Sequence, residues 1–426
     1  MKRISLSFAF ALAAITSSAV AEDWTQYRGP NHNGHSSEKH FAKRWGSGPS
    51  IVWKSSAYPL GFASFTTSGS QAFTVCARNG QEVAVAVNAD TGQQNWAYTL
   101  TPAVYGHDGG NAGARGNQGG DGPRSTPTID DGKVYVMSAD LVLYALNEKS
   151  GSLLWKKDLI KEHAGRNIKW KNAASPLIEG NLIYVAGGGS GQALMAIDKH
   201  SGKVVWKGGN DLMTHSTPAL ATIHGVRQVI FFTQKGLVGR DAKSGKELWR
   251  YPFKFAVSTA ISPIVAGDIV YCSAGYGVGS AAVRIEQTDG GMKANQLWRI
   301  HGHKDVANHW STPVYQNGHL YGMFSFKKYG SGPLKCVELA TGKVKWSKDG
   351  FGPGNCIIAD GHIIALSDNG HIVMAKAQTS RYQEVARAKV LKGKCWTTPV
   401  LSNGRIYVRS TTEAACLDVA GKTASR

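Results

Sequence analysis

The chain has 426 residues, with 51 glycines, 12 tryptophans and a formal net charge of +19 at neutral pH. That length ordinarily means two or three domains, unless many small units share one closed structure. The positive charge favours anionic partners, but nucleic acid is not expected, because lysine and arginine are scattered along the chain and its start reads as an export signal. The six cysteines form no C-x-x-C pair, which excludes zinc-ribbon and thioredoxin-type sites.

The first residues read as an export signal. Lys2 and Arg3 precede an apolar run from Ile4 to Ile15, and Ala19-Val20-Ala21 is a small-x-small cleavage site ahead of Glu22-Asp23. The expected leader is 1–21, and the remainder is expected in the periplasm or secreted. No cysteine stands at the cleavage site to carry a lipid. No later run approaches the ~18 apolar residues of a spanning helix, so no transmembrane anchor is expected. Residues 22–49, with Trp24 and Trp45, form an N-terminal extension that either plugs a channel or lies along a rim.

A strand with a tryptophan follows at Ile51-Val52-Trp53, and then one unit repeats. Its openings are Ser125-Thr126-Pro127, Ser175-Pro176, Ser216-Thr217-Pro218, Ser262-Pro263, Ser311-Thr312-Pro313 and Thr397-Thr398-Pro399. Hairpin turns come next, at Asp131-Gly132, Gly180-Asn181, Gly267-Asp268, Asn317-Gly318, Asp360-Gly361 and Asn403-Gly404, pairs that tolerate positive φ. β-branched and aromatic runs such as Val134-Tyr135-Val136 and Ile406-Tyr407-Val408 then predict buried strands. Each unit closes on Thr/Ser-Gly followed by tryptophan: Gly92 and Trp96, Gly151 and Trp155, Gly202 and Trp206, Gly245 and Trp249, Gly342 and Trp346. A stretched copy carries Gly291 and Trp298, and a copy near Thr379-Ser380 has lost its tryptophan.

The unit recurs roughly every 50 residues, the range of four-stranded propeller blades. The predicted fold is all-β: an eight-bladed β-propeller of four-stranded antiparallel blades over 50–420, with 421–426 as a tail. The last blade lacks an outer strand, and the strand at Trp53 is expected to supply it and close the ring. Each repeated tryptophan is expected to pack on the next blade. Export permits disulfides; six cysteines allow 15 pairings, and most are expected to be buried small hydrophobes on strands.

The A-x-D/N-x-x-T/S-G-x-x-x-W element resembles the repeat of the PQQ-like (pyrroloquinoline-quinone) β-propeller superfamily. Ala86, Asn88, Thr91, Gly92 and Trp96 match it, as do Ala196, Asp198, Ser201, Gly202 and Trp206. The resemblance covers about residues 50–420. That superfamily includes quinoprotein alcohol dehydrogenases and non-enzymatic members such as the propeller of the outer-membrane assembly machine. Fold does not choose between them.

In propellers of this class each innermost strand starts at one end of the central channel. The residue three before each repeat proline therefore faces the mouth: Arg124, Ala173, His215, Ala260, Trp310 and Trp396, with Pro353 from the degenerate blade. Asn172, His309 and Asn355 lie beside this ring. Arg124, Asn172, His215, His309, Trp310 and Trp396 are the candidate ligand-binding residues, cationic to pair with a carboxylate and aromatic to stack on a flat ring. No catalytic residue stands out; Asp108, Asp121 and Asp305 lie in candidate loops without distinction. His301, His303, His309 and Asp305 are metal-ligand types, read here as loop residues, and no metal is assigned. The glycine-rich segment Gly106–Gly122 lacks the P-loop pattern; it reads as a surface loop on the mouth face, with a lid as the alternative. Lys169-Trp170-Lys171 reads as a solvated loop.

For a dehydrogenase the resemblance implies PQQ with calcium, a disulfide between adjacent cysteines and a Glu-Asn-Asp calcium set. No two cysteines here are adjacent, and no such set stands out. The expectation is a soluble, monomeric binding or scaffolding protein for an envelope protein, a peptide or an acidic glycan. A PQQ-dependent alcohol dehydrogenase-like oxidoreductase is the alternative.

Overall fold

The computed structural model describes residues 22–105, 122–257, 259–303, 305–325 and 332–421. The expected leader, the tail beyond 421 and all of the glycine-rich segment but Gly122 lie outside the described residues.

Eight antiparallel sheets surround a channel. Their innermost strands are Thr66–Ser68, Thr128–Asp130, Leu177–Glu179, Ala219–Ile223, Ile264–Ala266, Val314–Gln316, Asn355–Ala359 and Val400–Ser402, here numbered blades one to eight. Each blade adds three strands outward. In blade eight the outermost is Ser50–Ser55, hydrogen-bonded to Ala414–Asp418. The expected eight blades and two-ended closure are both present. Among the described residues one short helix, Leu159–His163, interrupts the β structure, and no helix is long and apolar enough to cross a membrane.

The hairpin turns have the predicted chemistry. Asp131-Gly132, Asn317-Gly318, Asp360-Gly361 and Asn403-Gly404 have positive φ at both residues, whereas Gly180 and Gly267 carry it alone. These are the two turn families whose twist matches flanking strands. The Ser/Thr-Pro openings also have a structural reason. Several of their hydroxyls, and that of Ser64, accept from an N–H of a neighbouring blade: Ser64 N–H to Thr126 at 3.0 Å, Thr126 N–H to Ser175 at 2.9 Å, Ser175 N–H to Thr217 at 2.9 Å, Ser262 N–H to Thr312 at 3.2 Å and Thr398 N–H to Ser64 at 2.9 Å.

The tryptophans act between blades. Indole N–H groups of Trp53, Trp96, Trp155, Trp206, Trp298 and Trp346 donate to backbone carbonyls of the following blade, at 2.8–3.1 Å. The rings of Trp53, Trp96, Trp155, Trp206 and Trp298 each lie on the glycine of that blade's last turn, whereas the degenerate turn facing Trp346 has none. A Cβ on Gly151 would meet Trp96 at 2.5 Å, and one on Gly92 would meet Trp53 at 2.6 Å. Positive φ and this close approach together demand glycine. Trp249 departs from the expected common position: its N–H donates to Gln228 within its own blade at 2.7 Å. Gly239 stands opposite it where blades one, two, three and five have alanine, and blade five's long outer hairpin leaves Gly291 open, with nothing near its Cβ direction.

All six cysteines are buried and free. Five lie on strands, as expected; Cys395 sits in the connection before Val400–Ser402.

The N-terminal extension plugs the channel at the end opposite the strand starts. An inner strand of a two-residue hairpin alternates between ladder-bonded residues and residues whose N–H points to the axis. The extension caps those axial groups in turn. Thr67 donates to the Trp24 carbonyl at 2.9 Å, Ile129 to Thr25 at 2.7 Å and Ile358 to Gly34 at 2.9 Å; Ile178 donates to the Gln26 side chain at 3.4 Å. His35–Ser36 then adds a parallel strand to Asn355–Ala359. Trp24 is buried beneath Gly29.

Candidate functional site at the channel mouth

The ring of residues seven before each inner hairpin turn faces the other end of the channel. By this count it comprises Arg124, Ala173, Ala260, Trp310, Pro353 and Trp396, the residues expected there, and Phe62 in blade one. His215 occupies this place in blade four, whose inner strand is longer. Phe62 was missed because its blade opens Ser64-Phe65, without proline; the turn at Gly69 was the signal that would have found it.

Three of these residues come together as an aromatic arc. Trp310 and Trp396 meet across blade seven with centroids 4.5 Å apart, and Trp396 stacks on Phe62 at 4.9 Å. His309 abuts the edge of Trp310 at 5.5 Å, and exposed Tyr276 abuts His309 at 5.2 Å. Cations lie on the arc. Lys394 is 4.5 Å from the centre of Trp396, and Arg124 lies 5.9 Å from Phe62 and 5.1 Å from Tyr105. Such contacts favour a charged group held over a ring face. Arg124 also donates to the Trp170 carbonyl at 3.2 Å, tying in the loop at Lys169-Trp170-Lys171. Lys171 is ion-paired with Asp140 at 2.7 Å.

The remaining candidates differ. Asn172 is buried, and its side chain holds its own loop through the carbonyls of Ser138 and Ala174 and the Ala174 N–H. His215 is buried beside Val257, whose carbonyl lies 2.8 Å from Nδ1. Nδ1 therefore carries the proton, and among the described residues Nε2 makes no hydrogen bond within normal geometry, with the Lys169 and Lys171 backbone nearby. Burial, reinforced by Arg124, lowers its pKa to about 4, so the ring is neutral at pH 7. Burial likewise lowers His309 to about 4, with His303 adding to the effect. His303 stacks on His309 at 6.1 Å, and among the described residues no three His, Cys, Asp or Glu side chains converge to hold a metal ion. Asp305 contributes its carbonyl to Lys335 at 2.8 Å. Asp108 and Asp121 lie outside the described residues. The thiols are free and separate, and among the described residues no carboxylate set converges, an arrangement that does not fit a calcium-bound quinone under a disulfide.

Behind the arc sits a carboxyl group that sequence reasoning did not single out. Glu82 is fully buried and accepts from Tyr105 at 2.9 Å, Thr101 at 3.0 Å and the Ala139 N–H at 2.9 Å. Burial outweighs these donors and raises its pKa to about 7.

Eight four-stranded blades, tryptophans wedged between them and an aromatic mouth define a propeller of the PQQ-repeat class. Residues 79–347 match the family described as outer membrane protein assembly factor BamB, and the chain belongs to that family. It is 26% identical over 288 residues to tetrathionate hydrolase of Acidithiobacillus ferrooxidans, covering 66% of this chain and 49% of that protein. It is 25% identical over 239 residues to outer membrane protein assembly factor BamB of Shewanella oneidensis, covering 53% and 56%. The chain thus spans about half the length of these relatives. Quinohemoprotein alcohol dehydrogenase from Comamonas testosteroni superposes with a TM-score of 0.66 at 12% identity, over 96% of this chain and 82% of that one. The likeness is one of fold.

Proposed function

We propose that the protein is an exported binding or scaffolding propeller that docks an anionic segment of an envelope partner at the channel mouth. The observation that carries this reading is the arc itself. Half-buried rings of Phe62, Trp310 and Trp396 run from Arg124 to the buried Lys394 over Trp396, an aromatic surface in a positive field suited to an acidic, extended chain. Export rests on the leader expected at 1–21, and the envelope setting on kinship with assembly factors. Several side chains of the mouth are already packed on one another, which suits a docking face better than a pocket for a small substrate.

Titration of tryptophan fluorescence with a glutamate-rich peptide tests it. Saturable binding is expected, weakened at least about tenfold by Arg124→Glu and by Trp396→Ala. Reconstitution with PQQ and calcium provides the counter-test. Bound quinone together with alcohol-dependent dye reduction would replace this reading with the oxidoreductase one.

A further inference from the structure

The plug does not cover the whole channel end. It caps axial N–H groups of blades one, two, three and seven, but among the described residues no plug atom reaches those of Leu220 in blade four or Val265 in blade five. Over these blades lies a cleft of about 680 Å³, between plug residues 28–35 and the inner strands of blades four to six.

Three features give the cleft a chemistry. The first is donors. Val265 sits opposite Val270, one pair in from the Gly267-Asp268 turn, the register at which Ile129 turns its N–H to the axis. Leu220 stands in the same phase opposite Val229. The second is charge. No aspartate or glutamate lines the cleft among the described residues, whereas Arg28 does; His32 and His35 also line it, but burial lowers both pKa values, His32 to about 4, so the positive charge is that of Arg28. Glu179, the acid acting on His32, is ion-paired with Arg227, and Asp360, next to lining residue Gly361, is ion-paired with Lys43. The third is Arg28. It is 5% exposed, and its donors go to the carbonyls of His32, Thr312, Pro313 and Asn33 at 3.0–3.2 Å. These dipoles hold a guanidinium that stays charged at neutral pH, and none of them carries a countercharge.

We propose that this cleft is a binding site for a small anion, a carboxylate or a phosphate. The N–H groups of Leu220 and Val265 donate to it, Arg28 supplies the positive field beneath it, and Asn31 and Gln316 complete its rim. The site is separate from the mouth and does not depend on its function.

Calorimetric titration of the full chain with inorganic phosphate and, separately, with succinate tests this in a low-anion buffer. One-site binding of at least one probe is expected, and the probe that saturates identifies the head group. Val265→Pro removes one axial donor without taking a ladder bond. Asn31→Asp combined with Gln316→Glu places negative charge at the rim, on an exposed and a half-buried residue. Each variant is expected to weaken binding at least about tenfold with an unchanged melting temperature. If Val265→Pro fails to fold, the rim variant decides. No saturable binding of either probe, or affinity unaltered in the rim variant, overturns the proposal. So does binding lost only in Arg124→Glu, which would put the anion at the mouth.

Discussion

Glu82 and Arg409 show how a propeller interior uses ionisable groups. The Glu82 carboxyl titrates near pH 7 when folded and near its ordinary value when unfolded. Between those values the folded state holds a proton that the unfolded state has released, so stability falls as pH rises from about 4.5 to 7 and levels off above. Glu82→Gln removes that slope. Melting curves of the two proteins from pH 4.5 to 8 are expected to diverge by an amount that changes with pH, and parallel curves would refute the assignment. Arg409, fully buried, donates from blade eight to the carbonyls of Ala63, Val75, Tyr58, Pro59 and Leu60 and to the Thr74 hydroxyl, at 2.7–3.4 Å. Burial lowers its pKa to about 10. It bonds the last blade to the segment entering the first. Arg409→Met leaves those acceptors dry and is expected to cost about 3 kcal/mol or more in urea unfolding.

At the scale of elements, the blade-to-blade joint is an indole on a glycine. Trp96→Ala removes the ring seated on Gly151 and is expected to lose roughly 3–5 kcal/mol. Gly151→Ala keeps the ring but forces a Cβ to 2.5 Å from it at φ +70°; the backbone conformation alone costs about 1–2 kcal/mol. Trp249→Ala leaves no such neighbouring seat empty, so its loss is expected to fall mainly within blade four. Hydrogen exchange resolved by blade distinguishes these cases: Trp96→Ala exposes the outer turn of blade two, and Trp249→Ala does not expose that of blade five. These joints were legible because each unit carries a turn glycine and a tryptophan at a fixed spacing, so each blade offers a ring to the next and a seat to the one before. Trp249 misled because its displacement depends on Gly239, on the strand beside it.

For the whole molecule, closure and plugging are separate devices. The strand Ser50–Ser55 closes the ring, and residues before it fill one end. A chain lacking residues 22–45 is expected to keep the ring but expose axial amides. Thr67, Ile129 and Ile358 should then exchange much faster, while Trp53 stays protected. Equal protection with and without the plug would show that those hydrogen bonds contribute nothing.

The amino-acid sequence by itself determined the number of blades, the closure by Trp53 and the turn families. All of these follow from periodic signals in which a dihedral preference or an indole sits at a fixed offset from its neighbours. Only the tertiary structure decided the course of the plug, the open cleft over blades four and five, the place of Phe62 and the roles of Glu82 and Arg409. These rest on aperiodic residues meeting partners far along the chain. Trp24 bonds Thr67, Arg28 bonds Thr312 and Arg409 bonds Tyr58, pairings created by the curvature of the closed ring and written in no local pattern.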